Sequence, residues 1–116
     1  MPIRIIEDTI DKSELAEIAK ERYGDLVKAV VDIERKVMSI GAELHSDAEA
    51  LLLEEGSEQQ HLWGINIYPD KSGEELIEFD SVINLRPGQG NRSRGVTDPE
   101  IRQKIIDIVS QLVKSS

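Results

Sequence analysis

The alternation of β-prone runs with capped helical patterns constrains the fold of this chain more than any other feature. Val- and Ile-rich runs occupy residues 3–6, 26–33, 37–44, 62–68 and 76–85, and helical patterns with start and stop signals follow the first, third and fifth runs. The order is therefore β-α-β-β-α-β-β-α. Short turn-like connections inside each strand pair favour antiparallel pairing. We expect a single α+β domain over residues 1–116, with a largely antiparallel sheet and helices packed on one face.

The three predicted helices begin at recognisable caps. Asp11 and Ser46 each precede a Glu by three residues, which is the capping-box pattern. The third helix has the clearest signal, because Asp98 is placed as its N-cap, Pro99 is placed at its first position, and the apolar side chains that follow recur at helical spacing.

The last predicted strand, residues 76–85, leads directly into an unusual loop. Alternation along this run directs its apolar side chains to one side. Asp80, Asn84 and Arg86 share the opposite, outward-facing parity. We expect these three polar side chains to line a groove on the sheet that leads into the loop.

Charge and composition exclude several classes of function. With 23 acidic and 14 basic residues, the chain has a formal net charge of −9, which disfavours nucleic acid and anionic lipid as partners. The chain has no cysteine, which excludes disulfides and thiolate metal sites and suits a cytoplasmic location. No apolar run is long enough to span a membrane. No cofactor is indicated.

The arginine loop, residues 86–95, reverses this charge locally. Residues 81–97 contain three arginines and no acid, although the chain as a whole is strongly acidic. Guanidinium groups bind phosphate and carboxylate in planar, two-pronged geometry, and helix N-termini favour anions. The leading hypothesis is a binding module in which the loop engages a small anionic ligand or an acidic protein partner. Its candidate ligand-binding residues are Asp80, Asn84, Arg86, Gln89, Asn91, Arg92 and Arg94.

Two alternatives stay open. The first is a hydrolase or phosphoryl-handling enzyme. His45 and His61, the only histidines, flank the second helix, and either could act as acid or base together with Asp47 or Asp80 and the loop arginines. Their spacing matches no metal motif, and no metal is predicted. In the second alternative, the loop arginines pair with the chain's own carboxylates or form a homodimer contact.

Six segments of the chain carry a resemblance to a known family. They are residues 27–32 (VKAVVD), 41–45 (GAELH), 49–54 (EALLLE), 62–66 (LWGIN), 91–95 (NRSRG) and 98–102 (DPEIR). Together they make the chain similar to a small prokaryotic family of proteins of unknown function, DUF5674. The resemblance implies a free-standing, single-domain cytoplasmic protein and assigns no catalytic or binding residue.

Overall fold

The computed structural model describes residues 3–115 and confirms an α+β domain. Within those residues the elements are β1 (Arg4–Ile6), β2 (Ile10–Asp11), α1 (Lys12–Arg22), β3 (Val27–Asp32), β4 (Val37–Ile40), α2 (His45–Glu54), β5 (Leu62–Ile67), β6 (Ile77–Glu78), α3 (Pro99–Leu112) and β7 (Val113–Lys114). Short 3-10 turns occupy Gln59–His61, Gly73–Glu75, Val82–Asn84 and Pro87–Gln89.

The main sheet has the order β1-β4-β3-β5-β6, and every neighbouring pair is antiparallel. This confirms the predicted antiparallel character and the β3–β4 hairpin. A second, parallel pair joins β2 to β7 and was not predicted. Strands of two residues carry no alternation that a sequence pattern can reveal.

The helices cover both faces of the sheet, which corrects the expectation of one covered face. Helices α1 and α3 pack on the face formed by Val27, Ala29 and Val31 of β3, where they build the larger core. Helix α2 packs on the opposite face against Val30 of β3 and Leu62 of β5. Strand β3 is buried on both faces except at Lys28, because it lies at the centre of the sheet with a helix layer on either side.

The predicted long strand over residues 76–85 is wrong. Only Ile77 and Glu78 pair with β5, and the chain then leaves the sheet. The expected outward parity fails as well, since Asn84 is fully buried and Leu85 is exposed. Apolar residues in this segment instead divide between the two cores, with Phe79 on the larger one and Ile83 on the smaller one.

Side chains take the place of the missing strand along β5. The Asn84 amide accepts a hydrogen bond from Gly64 N at 2.8 Å and donates to Gly64 O at 3.0 Å, as a strand neighbour would. Arg86 Nη2 donates to the carbonyl of Leu62, two residues earlier along β5. Because buried backbone groups need partners, these side chains allow the chain to leave the sheet after β6. Alternation of apolar and polar residues could not predict that side chains replace a strand as hydrogen-bond partners of β5.

Helix α2 begins two residues earlier than the capping pattern predicts. Its N-cap is Leu44, and no side chain caps its first amide groups. Ser46 lies inside the first turn and not at the cap. Helix α3, by contrast, starts as predicted, with Asp98 Oδ1 accepting a hydrogen bond from Glu100 N at 2.8 Å.

Candidate functional site

Arg86 is a structural residue of the arginine loop. Its guanidinium donates to Ile83 O at 3.1 Å through Nε and to Gln59 O at 2.6 Å through Nη1, besides the Nη2 bond to β5. The group also stacks over the Trp63 ring at 4.4 Å. Burial lowers the pKa of Arg86, and the charge of Glu49 opposes that change. Its donors are directed at backbone carbonyls, so Arg86 has little capacity left for a ligand.

Asn84 and Asn91 hold the loop together from inside. Besides its bonds to β5, Asn84 donates to Arg94 O at 2.9 Å. Asn91 Nδ2 donates to the carbonyls of Asn84, Ser93 and Gly95 at 2.7, 3.0 and 2.8 Å, while its Oδ1 accepts from Thr97. Both asparagines are buried with their hydrogen-bonding groups occupied. They fix the backbone that carries the arginines and do not face a ligand.

Gln89 and Arg92 lie on the exposed outer part of the loop. The Gln89 amide donates to Gln60 O at 3.2 Å and accepts from Arg86 at the same distance. Arg92 is exposed and forms no hydrogen bond or ion pair within residues 3–115. Arg92 therefore has the character of a solvated surface cation.

Arg94 is the loop arginine that faces a cavity. Its Nε pairs with Asp80 Oδ1 at 2.6 Å, and both side chains are about half exposed. The guanidinium lines a hollow of about 190 Å³. We call this space the Arg94 hollow; its lining residues are Lys28, Leu44, His45, Ser46, Ser81, Val82, Ile83 and Arg94.

A second cation, Lys28, enters the Arg94 hollow from strand β3. It lies directly opposite Asn66 of β5, on the sheet face that α2 only partly covers. Its ammonium sits 4.9 Å from the centre of the Tyr23 ring. Within residues 3–115, Lys28 has no carboxylate at ion-pair distance, although the chain carries a large excess of acids. Two basic residues, Lys28 and Arg94, therefore line one hollow.

His45 forms the inner wall of the Arg94 hollow at the start of α2. Its Nε2 is 2.8 Å from the carbonyl of Ile65, and the side chain is only 8% exposed. Burial lowers the pKa of His45, and the charges of Lys28 and Arg94 lower it further. The Ile65 bond and the charge of Asp80 act in the opposite direction without reversing the shift. The imidazole is thus neutral near pH 7.

Asn66 connects the Arg94 hollow to a neighbouring acidic group. Its Nδ2 donates to Glu78 Oε1 at 2.9 Å and to Asp80 O at 3.4 Å. The Tyr68 hydroxyl also donates to Glu78, at 3.0 Å. These bonds hold the segment after β6 against the sheet, and with it the Asp80 carboxylate that orients Arg94.

Ser81 and Gly64 set the depth of the Arg94 hollow. Ser81 N donates to Arg94 O at 2.9 Å, and its hydroxyl accepts from Ile83 N at 3.3 Å. The segment can approach β5 this closely because residue 64 has no side chain. A Cβ placed there would lie 2.6 Å from Ser81 Cβ.

The two histidines do not share a site. His45 contacts the carbonyl of Ile65, whereas His61 ends the turn before β5, so about 13 Å of strand separates the two positions at 3.3 Å per residue. No group of three or more His, Asp or Glu side chains between residues 3 and 115 is arranged to hold a metal ion. Of the predicted acid–base groups, His45 lines the hollow beside Arg94, and Asp80 forms an ion pair with Arg94.

Sequence reasoning missed Lys28 and assigned Ser46 to a cap. The available signal was a single lysine inside the apolar run 27–31 of a central strand, where a charged side chain is unusual. Of the predicted ligand-binding residues, Arg94 lines the hollow, Asp80 pairs with it, and Asn84, Arg86 and Asn91 serve as scaffold. No ligand contact has been tested for any of them, so ligand binding stays a prediction.

Comparison with known proteins places the chain in a family. The chain belongs to DUF5674, a family described as proteins of unknown function, whose model matches residues 4–112. No curated protein and no solved structure matches the chain. Across residues 3–115, no helix has the length and apolar character needed to cross a bilayer.

Proposed function

We propose that the protein binds a small anion in the Arg94 hollow. The observation that carries the proposal is the pair of cations, Lys28 and Arg94, lining one cavity of about 190 Å³. Lys28 has no carboxylate partner among the described residues, even though the chain has a net charge of −9. Two cations that line one cavity repel each other, and an anion bound between them relieves that repulsion.

The neutral groups of the Arg94 hollow also suit an anion. Ser46 and Ser81 are among its lining residues, and the hydroxyl of the exposed Ser46 offers a hydrogen-bond donor. The N-terminus of α2, which has no capping side chain, adds the positive end of a helix dipole. These features support a compact oxyanion such as phosphate, sulfate or carboxylate.

The arginine loop contributes one residue to this site and a scaffold for it. Arg94 reaches the cavity, while Arg86 and the two buried asparagines hold the backbone from which Arg94 extends. The ligand is a small molecule in this proposal, because the cations lie in a concave space and not on a broad basic surface. A cytoplasmic location is part of the proposal, supported by the cysteine-free composition.

The proposal is tested by thermal unfolding with phosphate or sulfate, against chloride at equal ionic strength. Stabilisation is expected to reach about 2.7 kcal/mol when the ligand is at a hundred times its Kd. Lys28→Met and Arg94→Gln should each abolish most of the anion-specific rise in Tm. Arg92→Gln is the matched control, since it removes an equal charge from the same loop outside the hollow, and should keep the rise.

Two results would contradict the proposal. One is the absence of any anion-specific rise in the wild-type protein. The other is an equal loss in the Arg92→Gln and Arg94→Gln variants, which would indicate a diffuse charge effect and not a built site.

A second candidate function is hydrolysis of a small ester with His45 as general base. The observation that favours it is a neutral imidazole beside Arg94, which is suited to stabilising developing negative charge. Turnover of p-nitrophenyl phosphate or p-nitrophenyl acetate should then disappear in His45→Gln and persist in His61→Gln. Equal turnover in the two variants would remove this candidate.

A further inference from the structure

We propose that the Arg94 hollow selects an oxyanion that carries its own proton, so that inorganic phosphate binds in preference to sulfate or the dianion of a phosphate monoester. This inference rests on the proposed anion site and adds the chemical class of its ligand. The hydrogen-bonding geometry of His45 carries it.

The orientation of the His45 ring determines which nitrogen keeps the proton. Nε2 is 2.8 Å from Ile65 O, and a backbone carbonyl can only accept. Nε2 therefore bears the hydrogen of the neutral ring, and Nδ1 bears the lone pair. Within residues 3–115, Nδ1 has no hydrogen-bond partner. His45 is 8% exposed and lines the cavity, so Nδ1 is the ring acceptor left for a ligand there.

The groups around His45 keep the ring neutral. The charged groups that act on it are Lys28 of β3, together with Asp80 and Arg94 of the segment after β6. Burial lowers the pKa of His45 most strongly, and the two cations lower it further. The site thus attracts anions through its two cations, while the Nδ1 lone pair of His45 disfavours an anion that has no proton to donate.

Hydrogenphosphate carries both the negative charge that the cations attract and a proton that it can donate to Nδ1. Its P–OH can donate to Nδ1 of His45 while its charged oxygens accept from Lys28 and Arg94. Sulfate and a monoester dianion have only acceptor oxygens near neutral pH, so one oxygen would face the Nδ1 lone pair. Binding either of them requires His45 to take up a proton, which becomes harder as pH rises.

The Arg94 hollow has room for a tetrahedral ion together with some of its water, since its volume is about 190 Å³. Leu44 and Val82, both exposed, form an apolar part of the lining.

Calorimetric titrations with phosphate, sulfate and methyl phosphate at constant ionic strength test the inference. At about pH 8 we expect phosphate to bind about tenfold or more tightly than the other two, because an acceptor facing an acceptor is a costly mismatch. At about pH 5.5, where His45 gains a proton more easily, the preference over sulfate should shrink. His45→Gln keeps an amide donor for Ile65 O but loses the Nδ1 acceptor, and should lose the preference. His61→Gln should retain it.

Nitrogen NMR of the two histidine rings in the wild-type protein keeps the inference testable if His45→Gln fails to fold. We expect His45 to show the Nε2–H tautomer and a shift of Nδ1 when phosphate is added at about pH 8. Equal affinity for phosphate and sulfate at that pH, or the Nδ1–H tautomer, would overturn the inference while leaving the anion site intact. Failure of all three anions to bind would overturn the proposed function itself.

Discussion

Replacing Asn84 with Ala should unfold the structure beneath the arginine loop. The Asn84 amide is fully buried and bonds to both backbone groups of Gly64 and to the carbonyl of Arg94. Its removal leaves one buried N–H without an acceptor, at a cost of about 1–3 kcal/mol, and removes two further bonds of about 1 kcal/mol each. We expect the free energy of unfolding to fall by about 3–5 kcal/mol, a large fraction of the stability of a domain this size.

Urea unfolding followed by the fluorescence of Trp63, the only tryptophan, measures this loss. Asn84→Asp keeps the acceptor for Gly64 N but places a carboxylate against two carbonyls, and should destabilise at least as much. Gln89→Ala is the control, because its bonds lie on the exposed surface, and should change stability by less than about 0.5 kcal/mol. An Asn84→Ala variant as stable as the control would refute the idea that a side chain replaces the strand.

Three further predictions concern the scaffold and the site. Arg86→Lys should lower the free energy of unfolding by about 2 kcal/mol and alter Trp63 emission, because lysine cannot donate to three carbonyls while stacking on the ring. Unchanged urea unfolding and unchanged emission would contradict this. Gly64→Ala should lower Tm and weaken anion binding together, because the new Cβ would push Ser81 outward, and a wild-type Tm in a thermal melt would contradict this. For His45, whose folded pKa lies below its unfolded value of 6.5, the unfolded state binds more protons, so its contribution to stability is present above pH 6.5 and is lost as pH falls below it. His45→Gln should flatten that part of the pH–stability profile, and an unchanged slope would contradict the assignment.

The sequence contained enough information for most of the regular structure. Apolar alternation and caps predicted three helices and the central antiparallel strands, because local patterns report burial on one side of an element. Asp98 and Pro99 marked the start of α3 correctly. Which face each helix covers depends on tertiary packing, so the position of α2 opposite the other two helices was not predictable from periodicity.

The prediction that the segment after β6 continues as a strand was wrong for a different physical reason. Residues 76–85 alternate as a strand does, yet Asn84 and Arg86 supply the hydrogen bonds that a continued strand would supply. A pattern of apolar and polar residues cannot distinguish a side-chain amide from a backbone amide as a partner. For the same reason Asn84 and Arg86, which were predicted to bind a ligand, instead support the backbone of the loop.

The Arg94 hollow combines residues that are distant in sequence. Lys28 comes from the centre of the sheet, His45 from the start of α2, and Arg94 from the loop before α3. The packing of α2 against β3 and the hydrogen bonds that hold the segment from Asp80 to Arg94 bring them to one cavity. Sequence analysis could identify the arginine and the histidine separately but had no means of joining them, and it passed over the lysine.

Mapping a phosphate titration by proton–nitrogen amide NMR tests the central claim most directly. If the anion enters the Arg94 hollow, the largest saturable shifts should fall on Lys28, His45, Ser46, Ser81 and Arg94. The exposed turn Pro87–Gln89 should move little. Shifts confined to that turn and Arg92, or shifts that grow linearly without saturating, would contradict the claim that this cavity is a built anion site.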